Sequence, residues 1–307
     1  MSLLKKILFG LAAFSVLAVL LIFSSLSPDM DKKDKSLNLP EDAVQRIRIP
    51  KIPQNLDFAG EPVPLNDTEV RERIDREILA ICFWHSSIIQ NIKFSRRYFP
   101  VIEELAKKHG IPDDFKYLAV TESSLRNATS VAGAKGIWQF MPETAESYNL
   151  FISKEIDERY NFYKASDAAC QLLKRLKDKF GSWTLAAAAY NCGEGRVKER
   201  MSEQGGATYY DLVLPEETMR YVPRIIAMKE IMKNPGKYGY ALGEEDYYEA
   251  MPKYKKVLIN SSISHWPDFC KEHNITYKTL TVHNPWILGY SLNNSEGREF
   301  EVLIPAP

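Results

Sequence analysis

Apolar residues at helical spacing fill the middle of this chain and constrain its fold more than any other feature. Behind Asp67-Thr68, a pair suited to cap a helix, Val70, Ile74, Ile78 and Ile81 recur three or four apart. A second helix is expected over Arg97–His109, with Val101, Ile102 and Leu105 on one face and Gly110 as its stop. Pro112 suits a first helical position, and Asp113 and Asp114 suit a first turn, so a third helix should run to about Ser123. Phe162–Phe180 carries Ala165, Ala168, Ala169, Leu172, Leu173 and Leu176 on one side. Thr184–Asn191 forms a short alanine-rich helix. The last long helix runs from Pro215 to about Lys233 and should be interrupted or bent near Pro223, which lacks an amide donor. The fold class expected is mainly α, with a helical domain over residues 67–236.

The flanks differ in texture. After Pro235, residues 253–307 should form a small α+β module. Val257–Ile259 and Glu301–Ile304 read as strands, with helical stretches near Trp266–His273 and Tyr277–Val282 between them. Residues 28–66 hold Pro28, Pro40, Pro50, Pro53, Pro62 and Pro64 with little periodicity, and read as a linker. Before it, Lys5 and Lys6 precede an uncharged apolar run, Ile7 to Leu26, of bilayer-spanning length. Residues 1–27 are therefore a signal peptide or a signal anchor. Pro28 directly after Ser25-Leu26-Ser27 disfavours cleavage, and the run exceeds a usual signal core, which favours the anchor. The paired lysines place the remainder outside the cytoplasm, in the cell envelope, facing the periplasm.

Lys+Arg and Asp+Glu both total 40, so no basic excess points to nucleic acid. The four cysteines, Cys82, Cys170, Cys192 and Cys270, include no CxxC pair, and the five histidines show no HExxH spacing, so no metal and no cofactor is expected.

Within the third helix, Phe115, Leu118, Ala119 and Glu122 share one face, so an acid ends an apolar stripe. Burial there would raise its pKa toward what a general acid needs near neutral pH. Ser123-Ser124-Leu125 and a polar loop follow. The turn-rich Gly133-Ala134-Lys135-Gly136, where backbone can approach a ligand, then runs into Ile137-Trp138-Gln139-Phe140-Met141-Pro142. Farther on come Ala188-Ala189-Tyr190-Asn191-Cys192-Gly193-Glu194-Gly195-Arg196-Val197 and Met219-Arg220-Tyr221-Val222-Pro223.

In this order the four segments resemble the catalytic domain of the soluble-lytic-transglycosylase superfamily, over roughly residues 84–234, with a likeness to its membrane-bound D-type branch. The resemblance implies a lysozyme-like helical catalytic domain and a peptidoglycan lytic transglycosylase. Carried over position by position, Glu122 matches the single catalytic glutamate and Ser123 follows it. Gly136, Gln139 and Met141 match the glycan-groove motif, and Ser130 matches a serine of the loop. Tyr190 and Asn191 match the Ala-Tyr-Asn motif, and Tyr221 matches the last tyrosine. Trp138 stands where Met is more common, and Cys192 where a small Ala or Ser is usual; neither removes a group the reaction needs.

The reaction implied cleaves the MurNAc-β-1,4-GlcNAc bond and leaves 1,6-anhydro-MurNAc ends, with Glu122 as acid and then base. Most glycosidases use two carboxylates. Asp114, Glu143, Glu194, Glu216 and Glu217 lack a comparable setting, and caps or surface charge account for them. Tyr190 is expected to hydrogen-bond Glu122; Gln139, Asn191 and the backbone near Gly136 to bind acetamido and hydroxyl groups; and Trp138 or Met141 to lie against a sugar face. Two other readings stay open: a lysozyme-like hydrolase with water as acceptor, and a non-catalytic peptidoglycan-binding protein. Residues 254–305 faintly resemble a LysM glycan-binding domain, with Ser261-Ser262-Ile263 where Gly-Asp-Thr is usual, so the module is a degenerate LysM or a structural extension.

Overall fold

The computed structural model describes residues 49–306. The apolar run and most of the segment read as linker lie outside them. Among the described residues, no helix is long and apolar enough to cross a membrane.

Helix α1 (Thr68–Cys82) starts where its cap predicts, with Asp67 Oδ1 accepting from the Glu69 amide at 2.8 Å. It buries Val70, Ile74, Ile78 and Ile81. Helix α2 (His85–His109) begins well before the expected Arg97 and runs through Pro100. Gly110, at φ 65°, ends it in the left-handed conformation that glycine adopts without penalty. Helix α3 (Phe115–Ser123) begins later than Pro112. The Asp114 carboxylate does not cap it but accepts from the Lys229 ammonium at 2.6 Å and the Ala59 amide at 2.7 Å. A short α4 (Pro142–Ser147) precedes α5 (Phe162–Phe180), which Asn161 caps and Gly181 ends. Helix α6 (Trp183–Cys192) is capped by Ser182 and by Glu61, whose carboxylate accepts from the Thr184 amide at 2.9 Å. Helices α7 (Glu194–Gln204) and α8 (Glu216–Lys233) complete the domain.

Helix α8 packs against α1, α3 and α6, while α6 also packs on α5. Ala186 to Ala189 on α6 are buried, and their small side chains let the neighbouring helices approach closely. Contrary to the expected interruption, α8 runs unbroken through Pro223. The missing proline amide would leave the Met219 carbonyl without its helical donor. The Tyr209 hydroxyl supplies one instead, at 2.8 Å.

The end of the expected linker is packed, not loose. Strands β1 (Asp57–Phe58) and β2 (Glu61–Pro62) form a small hairpin, and Phe58 is fully buried edge-on to Phe115 at 5.2 Å between ring centroids. A proline-rich stretch can dock wherever one large side chain finds a core, and periodicity does not signal that.

The C-terminal module is a ββ pair enclosing two helices. Strand β3 (Tyr254–Ile259) pairs antiparallel with β4 (Phe300–Pro305), Val257 opposite Val302, and α9 (Trp266–Glu272) and α10 (Tyr277–His283) lie between them in sequence. Trp266, Leu280, Trp286 and Val302 form its core, joined by Ile156 from the helical part. The Asp157 amide donates to the Trp286 carbonyl at 2.9 Å and the Leu288 amide to the Glu155 carbonyl at 2.8 Å. Cys82, Cys170, Cys192 and Cys270 are all free thiols.

Candidate active site

Helix α3 buries Phe115, Leu118 and Ala119 and presents Glu122 in its last turn, where Ser124 turns left-handed at φ 55°. The Tyr221 hydroxyl, from α8, donates to Glu122 Oε1. Desolvation raises the Glu122 pKa to about 7; the Tyr221 hydrogen bond opposes the rise, nearby Glu217 adds to it, and the Arg224 charge opposes it. Burial first, then the charge of Glu122, holds the Tyr190 and Tyr221 phenols well above their usual pKa, so both remain proton donors.

The loop after α3 folds back on it. Ser123 Oγ donates to the Ile137 carbonyl at 2.8 Å and so pins the segment 137–139 beside Glu122. Lys135 and Phe140 exchange both backbone hydrogen bonds at 3.1 Å. Inside that tight turn Gln139 has φ 50°, and its Nε2 donates to the Gly136 and Ala128 carbonyls at 2.7 and 3.2 Å. Ser130 Oγ accepts from the Ala134 amide at 2.9 Å. Tyr190 Oη, from α6, donates to the Trp138 carbonyl at 2.6 Å. Asn191 Oδ1 accepts from Thr218 Oγ1 at 2.7 Å, which ties the end of α6 to the start of α8. Among the described residues, no group of three or more His, Cys, Asp or Glu could hold a metal ion.

Residues 99–213 match the family model of the transglycosylase SLT domain, and residues 255–307 match that of the soluble lytic transglycosylase C-terminal LysM-like domain. The chain carries a transglycosylase SLT domain. Over 249 residues it is 33% identical to the membrane-bound lytic murein transglycosylase D of Escherichia coli K12, covering 79% of this chain and 53% of that protein. Over 107 residues it is 33% identical to a putative tributyltin chloride resistance protein of an Alteromonas species, covering 34% of this chain and 51% of that one. The chain thus spans about half the length of the curated relatives it matches. A solved lytic transglycosylase Slt from Pseudomonas aeruginosa overlaps 49% of this chain and 26% of its own, at 20% identity and a TM-score of 0.39.

The fold brings Glu122, Tyr190 and Tyr221 together from three helices; Tyr221 lies beyond the stretch that matches the SLT domain. Three expectations change. It is Tyr221, not Tyr190, that hydrogen-bonds Glu122; the Tyr190 hydroxyl instead holds the Trp138 carbonyl. Trp138 cannot lie against a sugar, because it is wholly buried with its indole N–H on Ser166 Oγ at 2.8 Å; Met141, 39% exposed, keeps that possibility. The close approach at Gly136 is made to protein and not to a ligand, since a Cβ there would sit 1.9 Å from the Arg159 carbonyl oxygen.

One cluster beside the site was not anticipated. Glu77 on α1 is 1% exposed and accepts from Arg220 Nε at 2.6 Å and Arg224 Nε at 3.2 Å, on either side of Tyr221. Its signal is present in the sequence. Glu77 falls on the stripe of Val70, Ile74, Ile78 and Ile81, where an acid must find cations to be tolerated.

Proposed function

We propose that this protein is a peptidoglycan lytic transglycosylase that cleaves the MurNAc-β-1,4-GlcNAc bond and leaves 1,6-anhydro-MurNAc ends. The observation that carries this reading is the Glu122 carboxyl. It is desolvated, hydrogen-bonded by a phenol, and in no ion pair with a cation among the described residues. A carboxyl with a pKa of about 7 holds its proton for donation and can take one back, which a single residue acting as acid and then base requires.

In the first step protonated Glu122 gives its proton to the bridging oxygen. The C1–O bond breaks, and GlcNAc leaves with a free 4-hydroxyl. The MurNAc 2-acetamido oxygen stabilises the charge at C1. Ionised Glu122 then removes the proton of the same sugar's 6-hydroxyl, O6 bonds to C1, and the acid is restored. Holding nucleophile and electrophile on one ring supplies the proximity advantage. Tyr221 orients the carboxyl and stabilises its ionised form. Tyr190, through the Trp138 carbonyl, fixes the loop that carries Gln139. Gln139 Oε1 and Asn191 are placed to meet acetamido and hydroxyl groups, Met141 to lie against a sugar face, and Ser123, Ser130 and Gly136 to shape the loop.

The domain boundaries proposed are 67–236 for the catalytic domain and 253–307 for the LysM-like module, with an N-terminal anchor holding both in the periplasm against peptidoglycan. Mass spectrometry of digested, purified peptidoglycan tests the chemistry. Anhydro-MurNAc ends are expected; a majority of reducing MurNAc ends would replace the reading with hydrolysis by water.

A further inference from the structure

A cavity of about 480 Å³ lies where the helical domain meets the C-terminal module. None of Glu122, Tyr190 and Tyr221 lines it. Its volume falls in the ~300–1,000 Å³ range of sites for small ligands. The helical side contributes Asn127, Ile137, Asn161 and Tyr163, and the module contributes Tyr254, His283 and Trp286. The two walls are fixed to each other by the backbone hydrogen bonds at Asp157 and Leu288, so the cavity is preformed.

The chemistry of the lining selects its occupant. Asn161 is 9% exposed, and its Oδ1 already caps α5 by accepting from the Lys164 amide at 3.2 Å. Its Nδ2 makes no hydrogen bond to protein among the described residues, nor do the Tyr163 hydroxyl and the Asn127 amide. Asn161 is buried, Tyr163 half-buried and Asn127 exposed, and all three line the cavity, so these donors are open to a polar ligand or water. Formal charge in the lining sums to zero, from Arg97 and Glu249. Arg97 is engaged within the wall, with Nε on the Glu249 carbonyl at 3.0 Å and its guanidinium over the Phe94 and Tyr248 rings. His283 is held below its usual pKa by burial and by the Arg97 charge, so it is neutral at pH 7, and its Nδ1 meets the Tyr254 hydroxyl at 3.0 Å. Aromatic rings with polar tips, free amides and no net charge suit a neutral, hydroxyl-rich ring carrying an amide; the one cation of the lining, Arg97, is balanced by Glu249.

We propose that this interdomain cavity is a second carbohydrate site, which takes a neutral N-acetylamino-sugar residue of the glycan strand whose neighbouring stretch occupies the Glu122 cleft. The inference rests on the proposed glycan substrate. Asn127 and Ile137 supply the physical link, since both belong to the loop between α3 and Gln139 that shapes the surroundings of Glu122. The module then acts as a wall of a composite site, and not as an independently tethered binder.

The test uses the full chain carrying Glu122→Gln, titrated with tri-N-acetylchitotriose and followed by calorimetry and NMR. Two binding sites are expected, one of which moves the Trp286 indole, His283 and Ile137 methyl signals. Asn161→Asp keeps the cap acceptor and removes the donor, and Tyr163→Phe removes the hydroxyl. Each should weaken that second site by roughly tenfold and leave the thermal midpoint unchanged. Shifts confined to the surroundings of Glu122, or cavity shifts produced by an acidic stem peptide and not by the sugar, would overturn the proposal. The readout is binding to an inactive variant, so a failure of the anhydro chemistry leaves it standing. Anhydro products from a protein with a silent cavity would remove the second site alone.

Discussion

Asp157 is closed off where the helical domain meets the module, with Arg159 donating to it from Nε at 2.9 Å and Nη2 at 2.8 Å and Lys135 reaching it at 3.2 Å. Glu122, at the end of α3, has a phenol for its hydrogen-bond partner. Burial pushes both carboxyls up. At Asp157 the hydrogen bonds and charge of Arg159 and the Lys135 ammonium outweigh burial and hold the group below its ordinary 3.8; at Glu122 burial wins, and the group rises from 4.5 to about 7. The pH consequences are opposite. Ionised Asp157 stabilises the fold above its unfolded pKa, and that contribution is lost as pH falls through its lowered folded pKa. The favourable state of Glu122 is the protonated one, fully present below 4.5 and lost as pH rises through about 7. A structural carboxylate is fully compensated, whereas one left under-compensated keeps an exchangeable proton at neutral pH.

The sharpest way to break this contrast is to remove each carboxyl's chemistry. Glu122→Gln should cut turnover on peptidoglycan by about 10³-fold or more, while raising the thermal midpoint at pH 8 and leaving it nearly unchanged at pH 5. Near-normal product release from that variant, measured chromatographically, would end the assignment. Arg159→Ala should do the reverse. It leaves Asp157 buried with one cation fewer, frees the Gly133 carbonyl and takes one of two donors from the Phe140 carbonyl. A loss of about 3–5 kcal/mol in denaturant unfolding is expected. Because Arg159 also sets the limit at Gly136, Gly136→Ala should cost about 2–4 kcal/mol through the contact with the Arg159 carbonyl and the φ of 82°. A stability equal to the native protein's would show that the loop and the Asp157 turn are not locked together.

Tyr221→Phe is the finest probe. The Tyr221 hydrogen bond favours ionised Glu122, so its removal should move the alkaline limb of the kcat/KM profile above pH 7 and lower the rate by roughly tenfold. A limb that stays in place would mean that Tyr221 does not set the protonation of Glu122.

Helix existence and the acid itself were legible in the chain. Asp67, Asn161 and Ser182 cap helices as their types suggest, Gly110 and Gly181 end them, and the spacing of Phe115, Leu118 and Ala119 puts Glu122 at the end of a buried stripe. Such signals are local, since a cap or a stripe is defined by residues within two turns of one another. Partners distant in sequence were not. Which of two tyrosines meets Glu122, why Trp138 faces the core, what crowds Gly136, and how Phe58 docks all depend on chain segments 23 to 99 positions apart. The sequence by itself determined a mainly helical chain with acids, Glu77 and Glu122, on apolar stripes. Only the packing of α3, α6 and α8 decided which hydroxyl Glu122 meets and how little charge compensates it, because desolvation and hydrogen bonding are properties of assembled surfaces, not of any single helix.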